Sequence, residues 1–245
     1  MNSCARLAGA VAIALLATAR VGHAQQADSV ATKGALPGRG GVGGQIGGSW
    51  MFADGDYSDG SQPRLSFAGH FRYVISRRWG WQVSPYFTWS GYVSHVAAPF
   101  VDLNFPSGGT SKENYLAQMA GVDAQLQWFT TTGRQRWHVG LGPSLHRVVV
   151  QNRRKVLKDP VSLELHSGAH MGASAELGME RFLKRLPNTS VEFTAAWHMA
   201  FAKDEVRFVS GWNGQPQVVE LRLGAHYYYE FRKPKPKSTK PGLGN

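Results

Sequence analysis

The sequence predicts an all-β fold: an eight-stranded antiparallel up-and-down transmembrane β-barrel. Three observations carry this. Period-two alternation of apolar and polar residues recurs in eight segments, and no 3.6-residue stripe competes with it. The links between segments are alternately short and long, as in a meander with two unlike ends. None of the ten lysines falls inside a segment, whereas aromatic residues crowd the segment ends. A solvated sheet face uses lysine freely, so the polar face is not an ordinary surface.

The elements follow in chain order. Residues 1–24 read as a secretory signal, with Arg6 ahead of an apolar stretch from Leu7 to Ala17 and small residues at Gly22 and Ala24. The only cysteine, Cys4, lies inside it, so the mature chain is expected to have no disulfide, thiol nucleophile or cysteine metal site. Loss of Arg6 and Arg20 lowers the formal charge from +11 to +9. The remaining charge gathers at Arg153, Arg154, Lys155 and Lys158 and in the tail. For an exported chain this points to lipid phosphates or cell-wall polymers rather than nucleic acid. Residues 25–43 are glycine-rich, without a period, and read as a flexible periplasmic lead-in.

The barrel domain is expected over 44–231, with strands at 44–53, 64–75, 79–92, 115–129, 135–150, 163–182, 190–202 and 217–231. Short turns follow the second, fourth and sixth strands, and longer links follow the others, so an even strand number puts both termini at the short-turn end. The last segment shows the pattern best. Val219, Leu221, Leu223, Ala225, Tyr227, Tyr229 and Phe231 take one face; Glu220, Arg222, Gly224, His226, Tyr228 and Glu230 take the other. A lipocalin-like soluble barrel would bury the apolar face, and a transmembrane barrel turns it outward. The missing lysines, a polar face of Gly, Ser, His and Glu, and aromatic girdles decide for the membrane. Trp79, Trp81, Trp128, Trp137 and Phe193 form one girdle with the terminal tyrosines; Trp50, Phe52, Phe67, Phe87, Trp89 and Phe201 form the other. A sheet survives in hydrocarbon only when closed, and eight strands leave an interior just wide enough for side chains to fill. Residues 232–245, with three prolines and four lysines, read as a disordered basic tail that can neither extend the sheet nor enter hydrocarbon.

Candidate chemistry collects on the inward register. His70, His138, His146, His166, His170, His198 and His226 share it with Arg72, Asp123, Glu176, Glu180, Glu192, Glu220 and Arg222. Such a cluster could bind a metal or relay protons. The simpler reading is a paired lumen network that neutralises buried charge, with no cofactor and no metal, because no spacing defines a ligand set. Asp54, Asp56 and Asp59 miss the calcium-loop spacing and its final glutamate. The glycines of 38–48 precede a strand, not a helix, and do not form a phosphate loop.

The signal, the eight alternating strands and a last strand ending Tyr229-x-Phe231 resemble the small outer-membrane barrels of the OmpA-transmembrane, OmpX and OmpW type. The resemblance implies a monomer in the bacterial outer membrane with both termini periplasmic, in contact with membrane lipid and lipopolysaccharide. It also implies that Leu221, Leu223, Tyr227, Tyr229 and Phe231 are read as an assembly signal by the barrel-assembly machinery. Fourteen residues follow Phe231, where the family motif commonly ends the chain. Some barrels of this size edit lipid A or phospholipid with Ser, His and an acid. Ser94-His95 and His166-Ser167 supply two of those residue types, but no acid is placed to orient either histidine. The function expected is therefore structural, adhesive or surface-interacting, with Phe100 and Phe105 of the second long loop as its contact surface and peptidoglycan as a partner of the tail. A lipid-modifying enzyme and a narrow channel for small apolar solutes are the alternatives.

Overall fold

The computed structural model describes residues 36–52, 61–93, 114–130, 133–152, 155–156, 167–201 and 216–230. Eight long strands dominate: β1 Arg39–Phe52, β2 Arg64–Val74, β3 Trp79–Val93, β4 Asn114–Phe129, β5 Gln135–Asn152, β6 Ser167–Phe182, β7 Thr189–Ala200 and β8 Gln217–Glu230. Two-residue strands, Ser61–Gln62 and Lys155–Val156, extend the ladder beside β3 and β5. Each long strand pairs antiparallel with its neighbours in sequence, and β1 pairs with β8, which closes the barrel. The expected meander is thus found. Among the described residues the strand ends lie within two residues of those expected, except the start of β1, at Arg39 rather than 44. Arg39 to Gly43 pair with Glu230 to His226, and Gly40 to Gly43 also with Tyr73 to His70. Glycine has no side chain to alternate, so the period-two signal disappears where the backbone pairing continues.

Carrying the register once round the wall gives the geometry. Gly40 lies opposite Tyr73, then Trp81, Leu126, Leu141, Ala175, Trp197, Val219 and finally Trp50, ten residues further along β1. With a rise of about 3.3 Å and a strand spacing of about 4.8 Å, that stagger sets a tilt of about 40°. Even the 11-residue β2 then spans about 28 Å, enough for an apolar band of about 25 Å.

Burial alternates along every strand. Val42, Ile46, Leu65, Val122, Leu126, Val139, Leu141, Leu145, Leu221 and Leu223 are exposed on the outside. No soluble protein leaves a continuous belt of this kind uncovered, and the fold is a transmembrane barrel. Trp79, Trp81, Trp128 and Tyr227 ring the short-turn end of the belt, and Phe67, Phe87 and Trp89 pack edge to face at the other, with centroids 5.6 Å and 4.5 Å apart.

The lumen is filled. Val74, Phe129, Phe182 and Tyr228 are fully buried at the short-turn end, and Met51, Met119, Val148, Ala200 and Val218 at the opposite end. Between these apolar layers lie the charged and polar side chains. Glycine makes the space where the largest of them lean against the wall. A Cβ on Gly41 would lie 2.7 Å from the Tyr228 ring, and one on Gly178 would lie 2.1 Å from the His138 ring. The signal, the basic tail, Phe231, Phe100, Phe105, Asp54, Asp56, Asp59, Ser94, His95 and His166 lie outside the described residues.

Candidate functional site: the polar lumen

Arg72 on β2 is the hub of the lower lumen. Its Nε donates to Gln82 Oε1 at 2.8 Å, Nη2 to Glu192 Oε1 at 2.8 Å, and Nη1 to the Tyr228 hydroxyl at 3.1 Å and to Glu180 Oε2 at 3.4 Å. Arg136 on β5 binds the same acid from the other side, Nε donating to Glu180 Oε2 at 2.6 Å and Nη2 to Tyr228 at 3.0 Å. Its guanidinium also lies 4.1 Å from the Phe129 ring centroid, a stacking that a desolvated arginine favours. Glu180 is completed by Ser190 and by the Tyr228 hydroxyl, which donates at 2.7 Å. All of these residues are buried, so the pairing lets the charges exist inside the wall.

Glu176 stands one layer higher. His138 Nε2 contacts its Oε1 at 3.0 Å and Glu192 Oε1 also at 3.0 Å, so one imidazole bridges two carboxylates. Gln82 and Gln127 donate to Glu176 at 3.3 Å, and Arg222 reaches its Oε2 at 3.5 Å. Arg222 turns its other arm to Glu220, at 3.2 Å, and so joins the lower group to an upper one. There His198 is bridged in turn: Nδ1 lies 3.2 Å from Asp123 and Nε2 3.5 Å from Glu220. Tyr86 stacks on His198 with centroids 4.1 Å apart. His70 meets Ser84 at 2.8 Å, and His226 Nδ1 lies 2.6 Å from Glu192 Oε2.

The structure therefore brings His70, Arg72, Asp123, His138, Glu176, Glu180, Glu192, His198, Glu220, Arg222 and His226 into one buried chain of contacts. His170 is half-buried near the long-link end of β6, opposite His146 in the ladder. Arg136, Tyr228 and Tyr86 belong to the chain and were not singled out from the sequence. Their signal was parity alone: each alternates with an outward residue, Trp137, Tyr227 and Phe87 respectively.

Two triads, His138–Glu176–Glu192 and Glu180–Glu192–His226, hold their ligand atoms within 4.8 Å of one another. Arg72 reaches acids of both, and Glu180 already has four donors, whereas among the described residues Glu192 Oε2 meets only His226 Nδ1, at 2.6 Å. A second pair has the look of a nucleophile and its base. Ser144 Oγ lies 2.5 Å from His146 Nε2, and the Tyr86 hydroxyl holds the Nδ1 side. A phenol stands where such a pair needs a carboxylate, and both residues face the packed lumen, away from lipid. Leu221, Leu223, Tyr227 and Tyr229 occupy the outward register of β8, the first three well exposed.

No protein-family model matches the chain. No curated protein matches it either. Among solved structures it is similar to the attachment invasion locus protein Ail of Yersinia pestis, at 13% identity, covering 79% of this chain and 100% of that one with a TM-score of 0.45. It is also similar to Neisserial surface protein A, at 14% identity over 77% of this chain and 96% of that one, TM-score 0.46. A third is the outer membrane protein OprG of Pseudomonas aeruginosa, at 14% identity over 80% and 97%, TM-score 0.41. The architecture itself rests on the strand pairing: a closed, filled, eight-stranded transmembrane barrel.

Proposed function

We propose that the protein is an outer-membrane barrel that acts through its surface, the wall serving as a rigid mount for the four long links. The observation that carries this is the packed lumen. Among the described residues, apolar layers at both ends and a continuous ion network between them fill the lumen, which supports a role at the surface over passage of large polar solutes. The long links, 53–63, 94–113, 153–166 and 201–216, all leave from one end, and both ends of the described barrel sit at the other. With the termini periplasmic, those links face outward. The basic run Arg153, Arg154, Lys155 and Lys158 then suits the phosphates of lipopolysaccharide or another anionic surface, and Phe100 and Phe105 offer apolar contacts. On this reading the tail meets peptidoglycan and β8 is read by the assembly machinery.

The test is a variant in which 94–113 becomes a short glycine-serine turn, beside one with the four basic residues of 153–158 made glutamine. Both should keep the heat-modifiable gel shift of a folded barrel and lose adhesion of cells to anionic glycans and hydrophobic surfaces. Unchanged adhesion in both would end the surface reading. A lipid-modifying activity is the second reading, and lipid A and phospholipid profiles of the same cells address it. A change in those profiles that depends on Ser94, His95, His166 or Ser167 would establish it instead.

A further inference from the structure

The lumen has a charge balance that its arginines do not close. Among the described residues five buried carboxylates, Asp123, Glu176, Glu180, Glu192 and Glu220, face three buried guanidiniums, Arg72, Arg136 and Arg222. Two negative charges are left over in a packed, low-dielectric interior, where an uncompensated charge is strongly unfavourable. The imbalance is divided evenly. In the lower group Glu176, Glu180 and Glu192 face Arg72 and Arg136, which leaves one charge. In the upper group Asp123 and Glu220 face Arg222, which leaves another; Arg222 touches acids of both groups but can cancel only one charge.

Each group contains one imidazole that touches two of its carboxylates. His138 lies 3.0 Å from both Glu176 and Glu192, with Arg72 2.8 Å from Glu192 and 3.9 Å from Glu176, and Arg222 3.5 Å from Glu176. His198 lies 3.2 Å from Asp123 and 3.5 Å from Glu220, with Tyr86 stacked on its face and the His146 ring 6.2 Å away. We propose that the folded barrel holds two protons at neutral pH, one on His138 and one on His198, and that these close the charge of the two groups separately. Among the described residues His226 touches Glu192 but no second carboxylate within ion-pair distance, so it bridges no pair of acids. His70 meets a serine and the His226 ring, and His146 a serine and a tyrosine, so both stay neutral.

The consequence is a fold whose stability answers to pH. Below an unfolded imidazole's ordinary value of about 6.5, folded and unfolded chains both carry the protons and stability is level in this respect. Above it the unfolded chain releases both while the barrel keeps them, so stability falls as pH rises. Two protons make the unfolding constant grow by up to about a hundredfold per pH unit, and one proton by about tenfold. From about pH 6.5 upward, a more alkaline surrounding loosens the barrel.

The experiment uses the full mature chain, folded in lipid vesicles and labelled with ¹⁵N at histidine. At pH 8 the spectrum should show two imidazolium side chains, with His138→Gln removing one and His198→Gln the other. Urea unfolding between pH 6.5 and 9 should follow the two-proton slope in the native chain and about the one-proton slope in each variant. Should a variant fail to fold, the count in the native spectrum still decides. None or one imidazolium at pH 8, two that survive both substitutions, or a stability independent of pH would overturn the proposal.

Discussion

Replacing Arg72 by methionine tests the lumen network at its hub. Methionine keeps the length and packing of the stem, so the change is essentially the loss of the guanidinium. Arg72 donates to Gln82, Glu192, Tyr228 and Glu180, and the consequences for these partners differ. Glu180 keeps Arg136, Ser190 and Tyr228, and its charge remains compensated. Glu192 keeps only His138, Thr194 and the off-axis His226 contact, so most of the penalty falls there. Removing one partner of a buried ion pair costs about 3–5 kcal/mol, and Arg72→Met should lie in that range. Adding Glu192→Gln removes the stranded charge and should return roughly half of the loss, because the amide can still bond His138 and Thr194. The assay is urea unfolding in vesicles, scored by the shift between folded and unfolded bands. A loss below about 1 kcal/mol for Arg72→Met, or a double variant less stable than the single one, would mean that the charges do not depend on each other as the distances indicate.

Other perturbations address the wall, the close approaches and the assembly signal. Leu223→Arg, at an exposed outward position of β8, should cost about 2–4 kcal/mol near the bilayer midplane, whereas Ser174→Arg should act by crowding the lumen; tolerance of both in the same unfolding assay would show that the faces are misassigned. Gly43→Ala places a Cβ 2.2 Å from the His226 ring and 2.6 Å from the Ala225 carbonyl, and should lower stability by about 1–3 kcal/mol, with near-native stability contradicting the packing there. Tyr229→Ala with Phe231→Ala should reduce the folded band in cells, while deletion of 233–245 leaves it unchanged; the opposite pair of results would remove the assembly-signal role. Protease on intact cells should cut within 94–113 or 153–166 and spare the tail, and cleavage confined to Lys233 to Lys240 would invert the orientation.

The architecture was legible because hydrocarbon enforces it. A wall between lipid and a packed lumen must alternate, and β8 does so from Val219 to Tyr229 without interruption. Legibility failed where glycine dominates, at Gly40, Gly41 and Gly43 around Val42, and where a short run mixes charges. In Arg134-Gln135-Arg136-Trp137 one arginine belongs to the turn and the other to the lumen, and only the outward Trp137 assigns them. Which residues face inward could be read from parity, but which of them meet could not. Arg72 and Glu192 are 120 positions apart, and their contact follows from a ten-residue stagger accumulated over eight pairings that no local pattern encodes. The Ser144–His146–Tyr86 contact was missed for the same reason, since Tyr86 comes from β3 and the other two from β5.

The central claim is that one face of each strand meets lipid while the other meets only protein. Paramagnetic relaxation of the native chain in vesicles tests it without substitution, using a nitroxide fatty acid in the bilayer and a gadolinium chelate in the water. Along β8, Leu221, Leu223 and Ala225 should respond to the lipid probe, and Glu220, Arg222 and His226 to neither. Relaxation of Leu223 by the chelate would make the barrel a soluble one, and relaxation of Arg222 by it would make the lumen an open pore.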